Sequence, residues 1–335
     1  MYILEYIRYF VLINFLFKKN KILKVSAPGK MILCGEHAVL YGYPIISLAI
    51  NQRLTVESFV NKDDKIYIKS KFGSICIKNA DLNQLNQINI PLWLKPIIFL
   101  LQNIKHGGLN IKITSNIDEY GFGSSGAVFS CVCCGLLLLN DKSLTREKLL
   151  KTTLDMYFLY QKKNIRYLSG IDIITNIIGG IVYYNPDKKI IKNLSNKIFE
   201  KYKIFAIWTG HKTSTTVTAD IANNVNDCKK IYKEIGIIVE EIYQLFSSNN
   251  NLNFLSISSK LYKNQILLEK LNLIDNDIIN IIEQCKKQNV IAKISGSGLG
   301  DCVIAICEKN KKFKIQNYKK IEINIDYDGI KYEFK

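Results

Sequence analysis

Several short runs of the chain alternate apolar and polar residues, and this period of two predicts β-strands. Such runs are "IISLAINQRLTVESFV" (45–60) and "KIYIKS" (65–70). Strands are also predicted for "GLNIKITS" (108–115), "GGIVYYN" (179–185) and "YKIFAIWTG" (202–210). The segment "KILKVSAPGKMILCGEHAVL" (21–40) predicts a strand, a turn at its Pro-Gly pair and a second strand. We expect a further strand region near 321–334, at the end of the chain.

Other segments have the longer periodicity of helices. Residues 92–105, "LWLKPIIFLLQNIK", predict a helix, and 127–140 are apolar almost all round, which is typical of a buried helix. Residues 143–163 are amphipathic and begin with a serine, a common helix cap. A mainly helical stretch is predicted for about 217–287.

The mixture of helices with several adjacent strands predicts an α+β fold. The polar, turn-rich stretch "NPDKKIIKNLSNK" (185–197) predicts a boundary between two halves. We therefore expect an N-terminal domain at 22–195 and a C-terminal domain at 196–335, preceded by an apolar extension at 1–21.

The extension begins "MYILEYIRYFVLINFLF" and could be an anchor or a signal peptide. Glu5, Arg8 and Asn14 interrupt the run, which is short for a membrane-spanning helix. No small-residue cleavage site follows it before the first predicted strand. The pattern favours an added amphipathic helix or a segment upstream of the fold, so we expect no stable membrane insertion, while weak membrane association stays open.

The formal net charge of +17 raises nucleic acid or acidic membranes as partners. The lysines are scattered among asparagines and isoleucines, and no zinc-finger spacing or basic helix accompanies them, so we expect no nucleic-acid partner. The same positive charge is better explained by a small anionic substrate than by nucleic acid. The nine cysteines include no paired C-x-x-C sets, which favours buried, reduced thiols and a cytoplasmic location.

The stretch "YGFGSSGAVFS" (120–130) is a glycine-rich loop that leads into the apolar helix. A dinucleotide site would need a strand directly before the glycines and a second strand ending in an acid, and neither is predicted. A Walker A loop is excluded because no lysine follows the last glycine. The free N–H groups of the helix N-terminus favour an anion, and the hydroxyl of Ser124 or Ser125 is a suitable Mg²⁺ ligand. A serine-capped helix behind a plain turn is the alternative.

Two further stretches carry similar signals, "SAPGKMILCGEHAVLYG" (26–42) and the glycine-rich "KISGSGLGDC" (293–302). In their order and spacing these three stretches resemble the three sequence motifs of the GHMP small-molecule kinases. The resemblance covers nearly all of the chain after about residue 22. "GEHAVLYG" looks most like the mevalonate kinases. The resemblance implies a two-domain α+β kinase, with an N-terminal half similar to ribosomal protein S5 domain 2 and a ferredoxin-like C-terminal half. It also implies ATP and Mg²⁺ as cosubstrate and cofactor, and a small anionic hydroxy acid such as mevalonate as acceptor.

The resemblance also implies a set of site residues. Asp172, in "LSGIDIITNIIGG" (168–180), would be the catalytic base, with Lys30 as its cationic partner. The phosphates would lie on Gly121, Gly123, Ser124, Ser125 and Gly126, and the metal on Ser125 and Gln161. The acceptor pocket would be formed by Glu36, His37, Thr215, Gly296, Ser297 and Gly298. Alternatives from the residues alone are a helix cap for Asp172 or Thr215, a solvated lysine for Lys30 and a structural histidine for His37.

Some positions depart from the mevalonate kinase pattern. Gln161 stands where those kinases usually have a metal-binding glutamate, and "IRYLSG" (165–170) replaces their "HG.PSG". "WTG…ST" and "GLGDC" look more like bacterial phosphomevalonate kinases, which normally have tyrosine in place of His37. Phosphorylation of the 5-hydroxyl of mevalonate is the leading function, and phosphomevalonate kinase is the alternative. A sugar kinase, a non-catalytic ATP-binding homologue and a homodimeric assembly stay open.

Overall fold

The computed structural model describes residues 22–87, 90–117, 120–161, 169–194, 197–247 and 254–335. The predicted extension at 1–21 and most of "IRYLSG" lie outside these residues. The strands are β1 Leu23–Cys34, β2 Ile45–Val60, β3 Lys65–Ser70, β4 Gly73–Lys78, β5 Leu109–Ser115, β6 Ile181–Asn185, β7 Ile190–Leu194, β8 Tyr202–Trp208, β9 Ile291–Ser295, β10 Cys302–Glu308, β11 Lys319–Ile323 and β12 Lys331–Phe334. The α-helices are α1 Lys95–Asn103, α2 Ser124–Asn140, α3 Arg146–Gln161, α4 Ile171–Ile178, α5 Thr215–Asn223, α6 Cys228–Ser247, α7 Phe254–Lys270 and α8 Asn276–Lys286.

The first sheet is built around the long strand β2. Its strand order is β12-β1-β2-β5-β3-β4, and β6 and β7 extend it beside β2. The first part of β2 pairs with β6, and its last part, from Leu54 to Val60, pairs with β5. One strand of 16 residues thereby divides the sheet into two branches, and β1 lies along both.

The predicted turn inside 21–40 is wrong, because β1 runs without a break from Leu23 to Cys34. The Pro-Gly pair instead produces a register shift between Pro28 and Gly29 in the pairing with β2. A proline cannot donate to a sheet ladder, so an irregularity of this kind is where it is tolerated. The backbone N–H of Lys30, just beyond the shift, donates to Phe122 O at 2.9 Å.

Helix α2 is the buried helix that the sequence predicts. Eleven of its 17 residues are buried, and it contacts β1, β2 and helix α4. The cap of α3 differs from the prediction, since Thr145 Oγ1, not Ser143, accepts the Lys148 N–H at 3.3 Å. Ser143 donates its hydroxyl to Asp141.

The second sheet is antiparallel, with strand order β11-β8-β10-β9. Helices α5 to α8 lie between β8 and β9 in the chain. When the four strands of this sheet are numbered 1 to 4 in chain order, their order across the sheet is 4-1-3-2, as in ferredoxin-like sandwiches. The α+β class with two sheets is confirmed.

The last strand of the chain belongs to the first sheet. Strand β12 returns to the first sheet and pairs with β1, in a register that includes Leu23 with Phe334. The chain therefore crosses between the halves twice. The backbone edge of β1 is covered in this way, and the edge of the sheet is then the short strand β12.

Side chains and backbone groups also connect the two halves directly. Ile32 N donates to Ser295 Oγ at 2.9 Å, and Gly35 N donates to Asn264 Oδ1 at 3.3 Å. The strand β1 is thus held by both sheets at the end where the candidate motifs lie. Within the part of the chain that the structure describes, no helix combines the length and hydropathy needed to cross a bilayer.

Candidate active site

The glycine-rich loop turns into α2 through left-handed backbone conformations. Gly121 has φ 72° and Gly123, the N-cap of α2, has φ 75°. Only glycine adopts these values without strain, so the sequence G-F-G is what brings the helix N-terminus close to β1. Ser125 lies exposed in the first turn of α2. Unpaired N–H groups of the first turn, next to an exposed hydroxyl, suit an oxyanion and its metal.

Lys30 and Asp172 form an ion pair beside this loop. Lys30 Nζ lies 3.1 Å from Asp172 Oδ1, and the two side chains are 14% and 30% exposed. A Cβ on Gly123 would lie 3.0 Å from Lys30 Cγ, and one on Gly126 would lie 2.7 Å from Asp172 Cβ. The structure therefore brings Lys30, Asp172 and the 121–126 turn together in one place.

A cavity of about 190 Å³ adjoins the ion pair. Ile32, Val39, Leu40 and Ile45 form an apolar wall. The polar lining residues are Lys30, Glu36, His37, Tyr157, Ser169, Asp172, Thr215, Thr216 and Ser297. An apolar wall with a few convergent polar groups is the usual form of a small-molecule site.

His37 connects the first and third motifs. It has φ 58°, which is uncommon for a residue with a side chain, and its ring Nε2 donates to Ser297 O at 2.7 Å. Its Nδ1 is buried with no hydrogen-bond partner among the described residues. Burial lowers the pKa of His37, and the hydrogen bond to Ser297 opposes this, so the neutral ring is favoured and Nδ1 is an acceptor.

Glu36 lies deeper than the resemblance suggests. Its side chain is fully buried and forms an ion pair with Lys293, whose side chain is 1% exposed. Asn264 Nδ2 donates to Glu36 Oε2 at 3.4 Å. The Glu36 carboxylate is therefore satisfied by protein groups, although the residue also lines the cavity.

The other predicted acceptor residues take different positions. Thr215, with Thr216, lies at the start of α5 and lines the cavity, and Ser214 is the N-cap. Gly296 and Ser297 line it from the second sheet. Gly298 supports the loop from behind, since a Cβ there would lie 2.5 Å from Leu273 O.

Sequence reasoning missed Tyr157, which lies against the cavity. Its hydroxyl is hydrogen-bonded to the Gln161 side chain, and burial, together with the charge of Asp172, raises its pKa. Gln161 is buried at the end of α3 and is not among the residues that line the cavity. The spacing of four residues on one helix was the available clue, because such residues lie on the same face.

The fold and this site resemble those of the two-domain small-molecule kinases of the GHMP type. Residues 253–318 match the family model "GHMP kinases C terminal". The two-sheet architecture is that of GHMP kinase structures, so the resemblance seen in the sequence is confirmed.

The individual proteins that this chain is similar to include kinases of mevalonate and of phosphomevalonate. A mevalonate kinase of Pyrococcus abyssi is 26% identical over 316 residues, which cover 85% of this chain and 89% of that protein. The mevalonate kinase structure from Methanococcus jannaschii matches with a TM-score of 0.74 and 22% identity, covering 92% of this chain and 99% of that one. The Streptococcus pneumoniae phosphomevalonate kinase in complex with phosphomevalonate and AMPPNP matches with a TM-score of 0.70 and 18% identity, covering 89% and 99%.

Proposed function

We propose that the protein is an ATP-dependent kinase that phosphorylates the 5-hydroxyl of mevalonate. The observation that carries the proposal is the Lys30–Asp172 ion pair between the glycine-rich turn and the cavity. A carboxylate beside an acceptor cavity can take a hydroxyl proton, and an ammonium group beside the phosphate loop can neutralise transferring charge.

The reaction follows from these positions. The acceptor occupies the cavity, and Asp172 accepts the proton of its hydroxyl as the oxygen attacks the γ-phosphorus of ATP. The bond from that phosphorus to the bridging oxygen breaks, and ADP leaves. Lys30, whose ammonium group is paired with Asp172, stabilises the negative charge of the phosphoryl group.

Mg²⁺ fits the donor groups at the turn, which are hard oxygens. The exposed hydroxyl of Ser125 is one. Gln161, which the resemblance offers as a second ligand, is neutral, does not line the cavity and is engaged with Tyr157, so it is the weaker candidate. When bound, the ion would neutralise charge on the β- and γ-phosphates.

The composition of the cavity favours mevalonate over 5-phosphomevalonate. A phosphorylated acceptor calls for a second basic cluster beyond Lys30. Among the described lining residues, Lys30 is the one lysine or arginine. Lys293 lies nearby in the second sheet, but its charge is taken up by Glu36.

A coupled assay of ADP formation tests the proposal, with mevalonate, 5-phosphomevalonate and galactose as separate acceptors and Mg²⁺ in excess. We expect turnover with mevalonate and none above background with the other two. Turnover with 5-phosphomevalonate alone would establish the alternative kinase. Nucleotide binding without turnover on any acceptor would identify a non-catalytic homologue.

A further inference from the structure

Asp301, in the third glycine-rich motif, places a carboxylate against the phosphate-binding turn. A Cβ on Gly121 would lie only 2.5 Å from Asp301 Oδ1, so the carboxylate occupies the space beside that glycine. The neighbouring Asp301 Oδ2 accepts the Ser297 hydroxyl at 3.3 Å. Neither the proposed reaction nor the sequence motifs assign this group a function.

The backbone holds Asp301 in this position at an energetic cost. Its φ is 58°, a left-handed value that costs an ordinary residue of the order of 1 kcal/mol or more. Its N–H donates to His211 O at 2.9 Å, and its carbonyl accepts from Thr209 N at 3.0 Å and Thr209 Oγ1 at 2.9 Å. Glycine would adopt this backbone conformation without strain. The aspartate at this position therefore has an energetic cost that glycine would avoid, which indicates a function for its carboxyl group.

Burial and two lysines act on the Asp301 carboxyl in opposite directions. Burial raises its pKa, and the positive charges of Lys30 and Lys212 oppose that rise. Lys30 thus interacts electrostatically with two carboxyl groups, through an ion pair with Asp172 and at longer range with Asp301.

A carboxylate at this place would repel the phosphates that the turn is built to bind. A divalent cation between the two removes the repulsion, and Mg²⁺ is usually held by one or two carboxylates together with substrate phosphates. Gln161 supplies no charge, and Asp172 is engaged with Lys30. Asp301 is the remaining carboxylate that the described residues place against the turn.

We propose that Asp301 is an anionic ligand for the Mg²⁺ of the nucleotide complex, approaching it from the second half of the molecule and taking the place of the carboxylate that Gln161 lacks. This inference rests on the proposed kinase function. It implies that metal and nucleotide together bind across the two halves, at the junction of the second and third motifs.

Calorimetric titration of ADP into the full-length protein, with excess Mg²⁺ or with EDTA, tests the inference without relying on turnover. In the wild-type protein we expect Mg²⁺ to tighten nucleotide binding. In Asp301→Asn that enhancement should fall by about tenfold or more, since even groups in the outer shell of a metal contribute that much. Binding in EDTA should be unchanged or tighter, because a negative charge has been removed.

Asp187→Asn is the matched control, since Asp187 is exposed in the turn between β6 and β7 and the change in charge is the same. It should behave as the wild-type protein does. The electron paramagnetic resonance spectrum of Mn²⁺ bound with ADP should change in Asp301→Asn and not in the control.

The outcomes separate the two proposals. An undiminished Mg²⁺ enhancement in Asp301→Asn would overturn the metal-ligand inference and leave the kinase proposal standing. If Asp301→Asn also lost ADP binding in EDTA, Asp301 would be needed for the structure of the loop, and the metal-ligand inference would again be overturned. A wild-type protein that binds no nucleotide would contradict both proposals.

Discussion

Asp172 is the residue on which the proposed chemistry depends most directly. It lies in the first turn of α4 behind Gly170, which is the N-cap, so the alternative of Asp172 as the cap itself does not apply. Its carboxylate instead faces Lys30 and lines the cavity. A carboxylate that lines the acceptor cavity is placed to take the proton of a bound hydroxyl.

Asp172→Asn should lower kcat by about 10²- to 10⁴-fold while leaving nucleotide affinity nearly unchanged. The amide keeps the shape of the side chain and cannot accept the proton. Steady-state kinetics with mevalonate, beside calorimetric binding of ADP, measures both effects. Asp155→Asn, on the exposed side of α3, should have wild-type kinetics. Unaltered turnover in Asp172→Asn would remove this residue from the base position.

At the scale of elements, the close packing of α2 on α4 sets the position of the base. Gly126 in α2 leaves just enough room for Asp172, whereas Gly135, nine residues later in the same helix, has ordinary space around it. A Cβ at Gly135 would lie 3.6 Å from Val25 Cγ2, a normal contact. The same substitution therefore has opposite consequences at two positions of one helix.

Gly126→Ala should lower kcat by about tenfold or more, because the new methyl group must displace Asp172 and small misplacements of catalytic groups are costly. Gly135→Ala should leave kcat unchanged and be neutral or stabilising by up to about 1 kcal/mol, the difference in helix propensity. Kinetics and thermal unfolding of the two variants check this pair. Equal turnover in both would show that the α2–α4 contact does not position Asp172.

At the scale of the whole molecule, the two halves are joined by a buried ion pair. Glu36 follows β1 of the first sheet, and Lys293 lies in β9 of the second. Lys293 also donates to Ile294 O. Since neither side chain has access to water, each charge depends on the other for its stability in the folded state.

Lys293→Met should lower the free energy of unfolding by about 3–5 kcal/mol, because it leaves the Glu36 carboxylate buried without its partner. The double variant Glu36→Gln with Lys293→Met should recover part of the loss. Denaturant unfolding followed by circular dichroism measures both. Lys203→Met breaks an exposed ion pair with Glu322 and should cost less than about 1 kcal/mol. An unfolding midpoint for Lys293→Met equal to the wild-type value would contradict the account.

The strands, the buried helix α2 and the α+β class could be predicted from the sequence, because periodicity records which faces are buried. The turn in β1 was misjudged because Pro28 and Gly29 are typical of turns, and only the pairing with β2 shows that a register shift absorbs them. The return of β12 to β1 joins residues about 300 positions apart in the chain, a relation that no local pattern contains.

Within the site, the amino-acid sequence by itself determined which chemical groups are present, namely glycines able to turn a loop onto a helix, an exposed serine, a lysine and an aspartate. Tertiary structure alone decided which of them meet. It placed Lys30 against Asp172, turned Glu36 toward Lys293, and brought Tyr157 and Asp301 to a site where neither was expected. The physical reason is that local propensity acts over a few residues, whereas ion pairs and close packing depend on distances that only the folded chain fixes.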